Sequence, residues 1–198
     1  MELALIDEVA ERGYRGASID AVCERAGTDR DGFRAYFSDL EDGFCQIFET
    51  TRDKLLQTAL SIFLSQQTWR DQIRAVAYMF FDFVEADRRL AHFIFVDVLE
   101  AGERAQRLRD EGTEALQELI DLGRQELEDP DSLSKATAQA VAGGIYQQMR
   151  VAIQSDAPGR DLVPRLMYNV VLPYVGQQGA AEELTLPPPA PDGERPGG

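Results

Sequence analysis

His92 is the only histidine in the 198 residues, and that bounds the chemistry the chain can do. A di-iron bundle of the Glu-x-x-His kind needs two such motifs, and a zinc site built on one imidazole is incomplete. With Phe95 and Val96 one turn on, His92 could bond a ligand or sense pH, or simply be a satisfied wall residue. Asp97, Glu100 and Glu103 put carboxylates close together, but nothing supplies the contrasting environments that acid–base catalysis needs. Cys23 and Cys45 stand at no metal spacing. Cys23 reads as a small core residue, while Cys45, early in its helix, could be exposed; both read as inert thiols. There is no Gly-rich phosphate loop, no Ser-x-x-Lys and no nucleophile elbow. The expectation is a non-enzyme without cofactor or metal.

The elements that would position a binding function are all helical. Apolar residues make up 44% of the chain and charged residues 28%, enough for a buried core, with 35 acids against 20 bases and a net charge of −15. The densest apolar run, 75–81, stops at Asp82, well short of a membrane span. The start at Met1-Glu2 has no basic n-region, and two cysteines make no disulfide scaffold. A reduced, cytoplasmic protein with no membrane partner is expected.

Helix-period patterns run almost throughout, with no period-2 alternation long enough for a sheet. Leu3, Ile6, Val9 and Ala10 share a face that ends at Gly13. Ser18 can cap a second helix with Ile19, Val22, Cys23 and Ala26 inward, stopped by Gly27. A third runs over about 30–37, with Phe33 and Phe37 on one side. Ser38-Asp39-Leu40-Glu41 reads as a capping box opening a long fourth helix. Two very apolar helices follow at 70–86 and 88–101, then an amphipathic one at about 104–128, then two at 132–155 and 161–175. The stretch 177–198 is rich in proline and glycine and reads as a disordered tail.

Ala26-Gly27-Thr28-Asp29 joins two short helices as a helix-turn-helix does. Read whole, with Glu11-Arg12-Gly13-Tyr14, Ala17-Ser18-Ile19 and Tyr36-Phe37-Ser38, residues 5–48 resemble the DNA-binding domain of the TetR family of bacterial one-component regulators. The helices beyond suit that family's ligand-binding and dimerisation domain, as do Gly143-Gly144-Ile145-Tyr146 and Leu172-Pro173-Tyr174. The resemblance implies an all-α homodimer with a DNA-binding domain at 1–48, a ligand-binding and dimerisation domain at 49–176, and a tail at 177–198. It implies a ligand-responsive regulator, a repressor, that presents its third helix to operator DNA and is released by a small, mainly apolar molecule. Carried over residue by residue, Ser18 matches a phosphate-binding cap. Arg30, Arg34 and Tyr36 keep groups suited to DNA, two cationic donors and a phenol.

The chain departs from the family pattern at Asp29, Arg34 and Leu40, where a small polar residue, an aromatic and a lysine are usual. Residues 1–50 carry 12 acids and five bases, so Asp29, Asp31, Asp39, Glu41 and Asp42 would face phosphates and repel them. The alternative is a TetR-like dimer that binds a small molecule or a protein with a head that no longer reads DNA. For the ligand, Tyr78, Phe81, His92, Phe95, Tyr146 and Met149 are the candidate wall residues, although helical spacing alone also buries aromatics. Small residues in 132–155 and 161–175 would let those helices pair with their symmetry mates in a four-helix dimer interface.

Overall fold

The computed structural model describes residues 1–155 and 159–189. Its α-helices are α1 (Glu2–Arg12), α2 (Ile19–Ala26), α3 (Arg30–Arg34), α4 (Leu40–Leu64), α5 (Trp69–Ala86), α6 (Arg88–Phe95), α7 (Glu103–Asp121), α8 (Ala136–Gln154) and α9 (Val163–Glu182). Among the described residues there is no strand. The all-α expectation holds.

The first three helices close on Leu5, Val9, Val22, Phe33 and Phe37, all buried. Each boundary has a local cause. Ser18 accepts from the Ala21 amide at 3.2 Å and starts α2, as its residue type predicts. Gly27 ends α2 in the left-handed region at φ 68°, a conformation that costs a residue with a Cβ. Asp29 then accepts from the Gly32 amide at 2.9 Å and starts α3 two residues later. The helix-turn-helix corner is thus two side-chain caps around one glycine.

The capping box before α4 is shifted by one residue from its expected place. Asp39, not Ser38, accepts from the Asp42 amide at 2.8 Å, and Asp42 in turn accepts from the Ser38 amide at 3.0 Å. Both types are good caps; Asp39 takes the role because Asp42, with its short carboxylate, then falls three residues on. α4 runs through both expected domains. Its first turns bury Phe44, Cys45, Ile47 and Phe48, so Cys45 is a core thiol rather than an exposed one. The Phe44 ring stacks on Phe93 of α6 with centroids 4.0 Å apart, and one buried apolar cluster extends from Ala4 to Ala180. Polar ties join the same halves: Arg15 to Glu100 at 3.6 Å, and Asp42 to Arg104 at 3.1 Å.

Two helix ends differ from the periodic reading. α7 stops at Asp121 and tightens into a 3₁₀ segment over Leu122–Glu126, whereas the amphipathic pattern runs on to 128. Any Cβ at Gly123 would overlap the Trp69 indole, and that ring donates from Nε1 to the Leu119 carbonyl at 3.1 Å. Helix α9 breaks at Gly176 (φ 71°), close to the expected end at 175. The chain beyond does not become a tail at 177. It resumes as helix to Glu182 with Ala180 buried, because Glu183 is pinned between two arginines of α5. Arg74 donates to its carboxylate at 2.8 and 3.0 Å, and Arg70 at 2.8 Å. The expected break at 156–158 and the last tail residues, 190–198, lie outside the described residues.

Candidate nucleic-acid interface and ligand cavity

The outer side of the head carries Arg30, Asp31, Arg34 and Tyr36 exposed, while Phe33 and Phe37 anchor the other side. Ser18 sits at the start of α2, its hydroxyl used as the helix cap. Arg30 is held in a two-pronged pair with Asp20, Nε to Oδ1 at 2.6 Å and Nη2 to Oδ2 at 2.7 Å. That hydrogen bond holds the Asp20 carboxyl below its ordinary range. Arg34 lies 3.5 Å from Asp31. Arg12, Arg15 and Arg25 also have carboxylates within reach, Glu8, Glu100 and Glu11 respectively. Every arginine of the first fifty residues is therefore partnered.

The same geometry explains the acidity of the head. Of the five acids that the sequence sets against DNA, Asp29 and Asp39 are helix caps and Asp42 completes the second cap. A carboxylate at a helix start is favoured by the exposed amides and the helix dipole. These charges are committed to ordering the head. The pair of Arg30 and Asp20 is different: the side chains are 59% and 68% exposed, and an ion pair so open to water contributes little and is readily exchanged for another anion.

Between α4, α5, α6, α7, α8 and α9 lies a narrow, almost wholly apolar cavity of about 100 Å³. Phe81, Phe95, Tyr146 and Met149 line it, together with Ile73, Ile120 and Met167. Tyr146 is fixed across it by donating from its hydroxyl to the Phe95 carbonyl at 2.8 Å, and burial pushes its phenol up to about 12. The other two candidate wall residues are elsewhere. Tyr78 lies under the Arg160 guanidinium, 5.4 Å from its ring centre. His92 Nδ1 stands 2.8 Å from Oδ2 of the buried Asp97. That hydrogen bond raises the imidazole pKa above its ordinary value. His92 thus holds the turn after α6 rather than the cavity.

The cavity wall also has polar members that the aromatic pattern does not reveal. Arg52 of α4 and Arg109, Gly112 and Thr113 of α7 border it. A signal exists in hindsight: Arg109, Gly112, Thr113, Leu116 and Ile120 recur at helical spacing, a stripe with a cation at one end and branched apolar residues at the other. What the spacing does not contain is Arg52, whose place opposite is set by how α4 crosses α7.

No protein-family model matches the chain. In sequence it is similar to the HTH-type transcriptional activator FasR of Mycolicibacterium smegmatis, 26% identical over 93 residues. The match covers 47% of this chain and 42% of that protein, so the chain is matched to less than half of its curated relative. In structure it is similar to the fatty acid degradation regulator FadR from Bacillus halodurans, at a TM-score of 0.76 and 18% identity over 86% of this chain and 92% of that one. FadR from Bacillus subtilis, solved in complex with stearoyl-CoA, superposes at 0.73 and 18% identity, covering 88% and 96%. A TetR-family transcriptional regulator from Bordetella parapertussis does so at 0.68 and 14%, covering 90% and 96%. The chain has the TetR-type regulator fold. In that TetR-type frame the short helices α1–α3 are the head, and the cavity lies in the larger helical body below it.

Proposed function

We propose that the chain is a dimeric, ligand-responsive transcriptional regulator. Its head binds operator DNA, and its cavity takes a small, mainly apolar molecule whose entry releases the DNA. The observation that carries this reading is the apolar cavity between α4 and α7, because α4 is also the helix that bears the head. A molecule wedged there needs only different affinities for two α4 positions to change DNA binding. The stearoyl-CoA held by the Bacillus subtilis regulator of the same fold favours an apolar ligand.

Arg30, Arg34 and Tyr36 are the proposed DNA contacts, with Ser18 setting the backbone. For Arg30 this means exchanging Asp20 for a phosphate or a base, an exchange between exposed partners. The dimer is proposed to form through α8 and α9. Gly143 and Gly144 stand exposed there with nothing within 4 Å of where a Cβ would be, and small exposed residues allow two helices to approach closely. A cytoplasmic location and repression rather than activation complete the reading.

One observation favours a second reading, a binding module with a silent head: both reading-face arginines already have carboxylate partners. A mobility-shift titration against DNA flanking the protein's own gene, at low and at moderate salt, separates the two. A shift at low salt that weakens steeply as salt rises supports the regulator. No shift even at low salt overturns it in favour of the binding module.

A further inference from the structure

We infer that the cavity takes a neutral guest the size of one hydrocarbon ring, and that it excludes acids, fused rings and long chains. The inference rests on the cavity being a ligand site and goes on to name the chemistry of the guest.

Volume sets the first limit. The cavity encloses about 100 Å³, below the roughly 300–1,000 Å³ of sites that hold drug-sized molecules. It is of the order of the roughly 150 Å³ apolar cavity that admits benzene or xenon. One ring suits such a space; two fused rings or an extended chain do not. A compact ring also has no rotatable bonds to immobilise, whereas a chain loses conformational freedom when confined to the same volume.

The wall sets the second limit. Its polar side chains are Arg52, Arg109, Thr113 and Tyr146, and each is already engaged within the protein. Arg52 donates to Glu111 at 2.8 Å, to Asp53 at 3.0 and 2.8 Å and to the Leu108 carbonyl at 3.2 Å. Arg109 donates to Asp110 at 2.9 Å. The single hydroxyl hydrogens of Thr113 and Tyr146 go to the carbonyls of Arg109 at 3.0 Å and Phe95 at 2.8 Å. A carboxylate on a guest would lose its water and find no uncommitted hydroxyl in return, a heavy cost for a charge. What the wall does offer is contact: the rings of Phe48, Phe80, Phe81 and Phe95 and the thioethers of Met149 and Met167. Aromatic faces and polarisable sulfur favour an aromatic guest, and the guest supplies the dispersion partners that a void lacks.

Full-length protein is titrated by calorimetry with benzene, benzoate, naphthalene and palmitate, each below its solubility or micelle limit, and the last three are also tested for displacement of bound benzene. Benzene should bind saturably. Benzoate, the same ring with one charge, should bind at least about a hundredfold more weakly, because that charge is buried without a partner. Naphthalene and palmitate should not displace benzene. Ala142→Leu, which adds carbon atoms to the cavity wall, should weaken benzene by at least about tenfold, the loss of most of its contacts; unchanged binding to the folded variant overturns the inference by placing benzene elsewhere. Benzoate binding as tightly as benzene overturns the neutral guest, and displacement of benzene by naphthalene or palmitate overturns the size limit; either outcome leaves the cavity standing as a ligand site. No saturable binding of any of the four overturns the cavity reading and this inference with it. The wild-type ranking decides the main point without any variant having to fold.

Discussion

The head and the distal end of the body both pair arginines with acids, and the two pairings do opposite work. In the head, Arg30 and Asp20 are both more than half exposed. At the distal end, Arg74 and Glu183 are nearly or wholly buried, tying α5 to the end of α9 across 109 residues of chain. An exposed pair in water is a loose, exchangeable contact. A buried pair is a commitment, because losing one partner leaves the other charged and dry. The head therefore holds Arg30 in an exchangeable pair, while the body uses the same chemistry as a rivet.

Breaking the rivet should have the largest effect. Glu183→Ala leaves Arg74 with Asp71 alone and should destabilise the fold by about 3 kcal/mol, the low end for a broken buried pair, read as a drop in thermal or denaturant midpoint. A variant that melts with the wild type would show that the segment after Gly176 is held by packing alone.

In the head, Asp20→Asn should leave thermal stability unchanged yet tighten DNA, since it frees Arg30 and removes one repelling charge. The slope of log affinity against log salt should steepen by about 1. Unchanged affinity would mean that Arg30 does not reach the duplex. Arg34→Ala should act the other way, weakening binding at modest salt and flattening the same slope by about 1. An unaltered slope removes Arg34 from the interface.

The smallest expected effects are two titrations, of Asp42 where the two regions meet and of His92 within the body. Asp42 is lowered to about 2, first by the Ser38 amide and then by Gln46, with Arg104 adding to it. Its folded value lies below the ordinary 3.8, so its contribution is full above that pH and is lost as pH falls toward about 2. Asp42→Asn should remove that share of the acid-side loss in a melting series. His92 is raised, so its pair with Asp97 stabilises below the ordinary 6.5 and fades as pH rises through the raised value. His92→Gln should flatten stability across that neutral range. A variant that keeps the wild-type pH profile would show that the His92–Asp97 pair is not the group being titrated.

The features legible in the sequence are those whose cause lies within a few residues. Ser18 as a cap, Gly27 as a helix stop, and Phe33 and Phe37 as a buried pair all follow from local spacing, and all are found in place. The capping box missed by a single residue, because Ser38 and Asp39 are both competent and only the position of Asp42 separates them. Four of the six candidate wall residues meet in the cavity, since buried aromatics on neighbouring helices converge on the core. His92 and Tyr78 do not, because each finds a polar or cationic partner outside it.

Composition, periodicity and capping chemistry were enough to set the helical class and the corner at Gly27. These are consequences of interactions spanning one or two turns, which the order of residues encodes directly. The burial of Cys45, the stop of α7 at the Trp69 ring, the return of helix after Gly176 and the meeting of Arg52 with Glu111 were decided only in three dimensions. Each depends on residues dozens of positions apart meeting at a packing or charge contact, and such meetings are set by how whole helices cross.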